Sequence, residues 1–219
     1  PAQLPETRLD GLRIGNPNNY RWFLRALLLA LNDWITDGVL PPASSYPTRE
    51  AGTLAELEDV QFPSIPSVRL PNEVSRAYRL DYGPRFVSDG IITNEPPLVH
   101  SVFPFLVAQV DDGGNEIAGL RSPELSVPLA TYTGWSPFNP ISTPGSYIPF
   151  ARTQAEREVA GDTRSSIKEL YSGREHYLGL IAEAGLELVD AGYILGQDLS
   201  AIIEDAGRHW DNLMSGERQ

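Results

Sequence analysis

None of the 219 residues is cysteine. That absence excludes disulfides, thiol nucleophiles and Cys-ligated metals together, and it leaves the redox compartment open. Cations are scarce: 17 Lys and Arg stand against 29 Asp and Glu, for a formal net charge of −12. Binding DNA or RNA requires clustered cations to neutralise phosphates, so nucleic-acid partners are not expected. An anionic membrane surface is disfavoured for the same reason. No uncharged apolar run reaches spanning length and no signal peptide is visible, so the cytoplasm, the periplasm and the exterior all remain open. Also missing are the Gly-x-Gly-x-x-Gly and Gly-x-x-x-x-Gly-Lys phosphate loops, the Gly-x-Ser-x-Gly nucleophile elbow and the Glu-x-x-His pair of di-metal bundles. No cofactor or metal is called for, and no complete catalytic constellation assembles from these residues.

What is present suits a globular chain, with 41% hydrophobic and 21% charged residues. Proline and glycine, 19 each, forecast many turns. Pro1 to Gly15 reads as a polar surface connection. Asn16 as N-cap and Pro17 at the first helical position then open a helix. Phe23, Ala26, Leu27, Ala30, Leu31, Trp34 and Ile35 follow the i, i+3, i+4, i+7 rule, predicting one broad buried stripe, widened by Leu24 and Leu28. Gly38 suits the left-handed stop, and Pro41-Pro42 prevent continuation.

From Pro41 to about Pro97 the signals are short and extended. Val60 to Phe62, Ile65 to Val68 and Tyr78 to Tyr82 are strand candidates, confined by their prolines to edges or coil. Phe103 to Val110 and Glu116 to Leu120 flank Asp111-Asp112-Gly113-Gly114-Asn115 as a hairpin. Asp111, Asn115 and Glu116 offer oxygens to a calcium ion, but the later bidentate Glu of a calcium loop is missing, and a plain turn is the better reading. A Ser-, Pro- and Gly-rich loop runs from Trp135 to Phe150.

The tail is helical. Thr153-x-x-Glu156 is a capping box. Asp162 is expected to cap a longer helix, with Ile167, Leu170, Tyr171, Leu178, Ile181, Ala182, Leu188 and Val189 inward and Gly192 as its stop. Gln197-Asp198 opens a last helix striped by Leu199, Ile202, Ile203, Ala206, Trp210 and Leu213, and the two should pair as an antiparallel hairpin. Glu183, Glu187, Asp190, Glu204 and Asp205 read as a solvated acidic face. His100 and His176 read as surface or structural residues. His209 lies beside Trp210 near a helix C-terminal half, where the dipole mildly favours its proton.

One stretch stands apart: Ala118 to Trp135, which packs Arg121, Glu124, Thr131, Tyr132, Thr133 and Trp135 around two prolines and two glycines without helical or strand period. Trp34 and Trp210 fall on helix stripes and read as core. Trp135 stands in irregular backbone, where pocket residues often sit on a rigid frame.

With that stretch, further pieces carry a resemblance in the same order: Asn16-Pro17, Leu24 to Leu28, Trp34 to Gly38, Pro41-Pro42, Ser45 to Pro47, Gly52 to Leu54, Phe62 to Pro66, Asp81 to Pro84 and Tyr147 to Ala151. Val127 to Trp135 is the closest piece. Together they resemble the C-terminal half of the poorly characterised alpha/beta-hydrolase-domain protein family. The resemblance implies a serine elbow and a histidine upstream of the part similar to Pro1 to Glu6, so no catalytic residue is transferred to this chain. Either the chain is one piece of a larger polypeptide or it is a shortened relative.

The expected fold is α+β: the C-terminal portion of an α/β-hydrolase-like fold, with a Pro-rich extended and hairpin region and a C-terminal helical hairpin. Residues 1–43 would hold the last core helix of the hydrolase-like domain, 44–150 the Pro-rich region and 151–219 the helical tail. Two functions follow. In the first, the chain completes a serine-dependent ester hydrolase. Arg121, Glu124, Thr131, Tyr132, Thr133 and Trp135 then line the pocket or pin its loop, with Arg121 pairing Glu124. An N-terminal segment of the same protein or a companion chain would supply the triad, and a small ester-like molecule would be the substrate. In the second, the chain is a non-catalytic binding or scaffold module.

Overall fold

The computed structural model describes residues 15–72, 74, 76–136 and 145–215. The connection expected from Pro1 onward therefore lies outside the described residues up to position 14, as do positions 137–144 of the loop after Trp135. Among the described residues the chain is α+β, with seven α-helices and three two-stranded antiparallel ladders. None of the helices is long and apolar enough to cross a membrane.

Helix α1 spans Arg21–Asp37. It begins four residues later than Pro17, although the Asn16 Oδ1 accepts the Asn18 N–H as a cap would; the Asn16 Nδ2 donates to the Thr133 carbonyl. Asn19 instead accepts from the Arg21 N–H. Gly38 ends the helix at φ 71°, a left-handed turn that suits a residue without Cβ. The expected stripe does not face the core. Trp22 and Ala26 are buried and Phe23 packs against the core, whereas Leu24, Leu27, Leu28, Leu31, Trp34 and Ile35 are exposed, Leu28 by 66% and Ile35 by 74%. Trp34 is thus not core; Trp22 is. The amphipathic pattern is real, but its large side has no cover among the described residues.

The middle region is extended, as its prolines require. Strand β1 (Leu54–Ala55) pairs with β4 (Val107–Ala108), and β2 (Tyr78–Asp81) pairs with β3 (Leu98–Val102), a strand that carries His100 on an exposed surface. A short helix α2 (Phe86–Asp89) lies between β2 and β3. Val60 to Phe62 and Ile65 to Val68 form no strand. The expected Phe103 to Leu120 hairpin is reduced to one bridge, Val110 to Glu116, closed by the turn at Asp111.

The core sits where the stretch around Trp135 meets the tail. Helix α3 (Pro123–Ser126) leads into β5 (Ala130–Thr133), which pairs with β6 (Ser146–Pro149), and every residue of β5 is buried. Helix α4 (Gln154–Ala160) is capped by Thr153, whose hydroxyl accepts from the Glu156 N–H. The long helix expected after Asp162 is two: α5 (Ile167–Leu170) and α6 (Arg174–Asp190), separated at Gly173. Ser166 caps α5, because Arg164 captures the Asp162 carboxylate first. Helix α7 (Leu199–Met214) runs antiparallel to α6, with Arg174 at one end of the pair bonded to Asp211 at 2.8 and 3.0 Å. Gly185 permits the close approach at the other end, since a Cβ there would stand 2.4 Å from Leu199 Cδ1. Ile181, Ile202, Ala206 and Trp210 are buried as their spacing predicts, whereas Leu170 is exposed.

Candidate functional site

The stretch from Arg121 to Trp135 is held by side chains that take the place of missing strands. On the outer edge of β5, Asn115 donates from Nδ2 to the Ala130 carbonyl (3.0 Å) and accepts the Tyr132 N–H at Oδ1 (2.8 Å). Against β6, Arg164 donates to the carbonyls of Ile148 (2.9 Å) and Pro149 (3.1 Å). A two-stranded ladder buried in this way needs such partners for its unpaired backbone groups. Asn115→Ala should therefore cost about 2 kcal/mol, the penalty of leaving two buried groups unbonded. Hydrogen exchange at the Tyr132 amide checks it: unchanged protection would refute the role given to Asn115.

Each residue singled out in the sequence has a definite place. Thr131 donates to the Gly113 carbonyl and accepts from Arg164 at 2.7 Å. Thr133 Oγ1 donates to the Trp135 carbonyl at 2.5 Å and accepts from the Ser146 N–H at 3.0 Å, fixing the turn into Trp135. Arg121 does not pair with Glu124. Its guanidinium reaches Asp111 at 3.1 Å and the Leu125 carbonyl, so it pins the loop from the opposite side. Asp111 Oδ1 also accepts the N–H groups of Gly113 and Asn115. Of the residues considered for calcium, Asp111 and Asn115 thus have their side-chain oxygens engaged within the protein, and Glu116 is exposed. Among the described residues no group of three or more His, Asp or Glu is placed to hold a metal.

Glu124 instead turns inward. Its carboxylate lies 3.9 Å from His209 Nδ1, and both side chains are buried. Burial, followed by repulsion from Asp205, pushes the Glu124 carboxyl up to about 7. Tyr132 and Tyr177 are raised well above the ordinary tyrosine range by burial, then by their tyrosine neighbours and Glu124. Asp205, expected on the solvated face, is buried and bonded to Arg208. The inward position of His209 was signalled by its spacing, three residues past Ala206 and seven past Ile202. Nothing local signalled the inward turn of Glu124.

Two hollows adjoin the stretch. One, of about 570 Å³, is polar at its rim, with Asp111, Asp112, Thr163 and Ser165 beside Phe150. The other, of about 270 Å³, is walled by Phe62, Val107, Val110, Tyr132, Thr133 and Trp135. Phe62 and Trp135 meet at a tilt, with ring centroids 5.6 Å apart. Tyr132, Thr133 and Trp135 share this apolar cleft. Arg121, Glu124 and Thr131 do not line it.

No curated protein and no solved structure matches the chain. The model of a family described as an alpha/beta hydrolase domain matches residues 3–204. That match spans nearly the whole chain and agrees with the ordered pieces from Asn16 to Ala151, so the chain belongs to an alpha/beta-hydrolase-domain family.

Proposed function

We propose that the chain works as the C-terminal portion of a serine-dependent hydrolase of carboxylic esters. The supporting observation is the uncovered face of α1, where Leu24, Leu28, Leu31, Trp34 and Ile35 form an apolar ridge. A helix with such a face must bury it against another layer, and in a hydrolase-like fold that layer is a sheet. The described strands form only two-stranded ladders, which offer no seat for a nucleophile elbow. Another segment of the same protein, or a companion chain, would bring the sheet together with the serine, acid and histidine. The serine would attack the ester carbonyl, expel the alcohol and leave an acyl-enzyme for water to cleave. The part played by this chain is to wall the acyl or alcohol group with the Trp135 segment and to keep water out.

A fluorophosphonate probe tests the reading. The chain alone should remain unlabelled, and the same chain joined to its hydrolase partner should give label on a serine of the partner. Leu28→Glu with Ile35→Glu should weaken that union at least tenfold. Label on a serine of this chain alone would overturn the division of labour. An unlabelled complex would favour the scaffold alternative.

A further inference from the structure

The apolar cleft beside Trp135 has a composition that selects its ligand. Five separate segments contribute to it, around Phe62, Val74, Val110, Glu116 and Trp135. Among the described residues no Arg, Lys or His lines it, and the one carboxylate that does is the exposed Glu116. A carboxylate or phosphate placed there would find no counter-charge and would meet Glu116 on a chain of net charge −12. Removing an ion from water without a partner is costly, so anionic ligands are rejected. The hollow of about 270 Å³ has room for roughly nine heavy atoms, at the ~30 Å³ that a water-sized group occupies in a liquid. The Phe62 and Trp135 rings form an aromatic wall, and the Thr133 hydroxyl is already committed to the backbone.

We infer that this cleft binds an uncharged aliphatic chain of up to about nine heavy atoms. Its role as the acyl or alcohol pocket of an ester hydrolase rests on the function proposed above; the binding itself does not. Affinity should rise roughly fourfold with each added methylene, the increment expected of apolar burial, until the hollow is full, and should then level off.

The test titrates the whole chain with a series of linear alcohols from 1-butanol to 1-decanol, followed by NMR at the Thr133 and Gly134 amides and the Trp135 indole. Those signals should shift, with affinity levelling near 1-octanol, and octanoate should bind at least tenfold more weakly than 1-octanol. Trp135→Ala, with its signal dispersion intact, should move the plateau to longer alcohols, which a purely structural role for the indole would not do. Three results would each overturn the inference: no shift at Thr133 and Gly134 with any alcohol, octanoate binding as tightly as octanol, or a plateau unmoved in Trp135→Ala. None of them depends on catalysis, so failure of the titration is distinguishable from failure of the serine labelling.

Discussion

Arg164→Met should lower stability by about 4 kcal/mol, within the range found when one member of a buried ion pair is removed. Arg164 is 2% exposed and its guanidinium spans three places. It holds both oxygens of Asp162, the Thr131 hydroxyl of β5 and the carbonyls of Ile148 and Pro149 in β6. It also stands 5.0 Å from the Phe150 ring centroid. Burial works against a charged Asp162, yet the hydrogen bonds from Arg164 outweigh it and hold that carboxyl below its ordinary value. Methionine matches the stem but strips the buried Asp162 carboxylate of its guanidinium donors, leaving it the backbone N–H of residue 164, and takes the same donors from the Thr131 hydroxyl and two carbonyls. Lysine keeps the charge and loses the planar fork, so Arg164→Lys should recover only part of the loss. Urea midpoints measure both, and a Met variant within about 1 kcal/mol of the parent would show that the pair is dispensable. Removing Asp162 as well, with leucine, should restore much of the stability, since two matched apolar groups replace two matched charges.

The second large effect is a pH dependence traced to Glu124. Its folded value of about 7 lies above the ordinary 4.5 that applies to an unfolded chain, so the folded state holds this proton more tightly. The stabilisation is complete below about pH 4.5 and is lost as pH rises through 7. The span is worth about 3 kcal/mol at 1.36 kcal/mol per unit. Asp205 and His209 on α7, Tyr177 on α6, Tyr132 on β5 and Tyr147 on β6 surround the carboxyl. Urea unfolding at pH 5 and pH 8 should show that loss in the parent and far less in Glu124→Gln, which mimics the protonated acid. Were His209 to carry the proton instead, Glu124 would already be ionised at pH 5 and the two proteins would change alike.

Features set by neighbours in sequence were legible. Gly38 stops α1, Thr153 caps α4, and the spacing of Ile202, Ala206 and Trp210 gives the buried side of α7. Local patterns misled at the helix starts. Asn16 accepts the Asn18 N–H as a cap would, yet the helix opens only at Arg21. Asp162 is a good cap by type, but Arg164 claims it. The pairing of Glu124 with His209 depends on how α3 meets α7, which no local pattern encodes. Strand β3 left no signal because both its faces are exposed, and alternation has meaning only where one face is buried. In the candidate site, Tyr132, Thr133 and Trp135 stood out by residue type, but the stretch is not irregular throughout: Tyr132 and Thr133 lie on strand β5, which the flanking prolines and glycines concealed. Phe62, Val107 and Val110 did not stand out, because a cleft wall drawn from five segments leaves no linear trace.

The bare ridge of α1 also governs how this polypeptide behaves in a tube. Two tendencies compete when copies meet: like charges hold them apart, while Leu28, Ile35 and their neighbours draw them together. Repulsion reaches about 30 Å at 0.01 M salt but only about 3 Å at 1 M, whereas attraction between oily surfaces is not screened. Dilute neutral buffer should therefore preserve single molecules. Concentrated salt, a common choice for storage, should drive them into clusters.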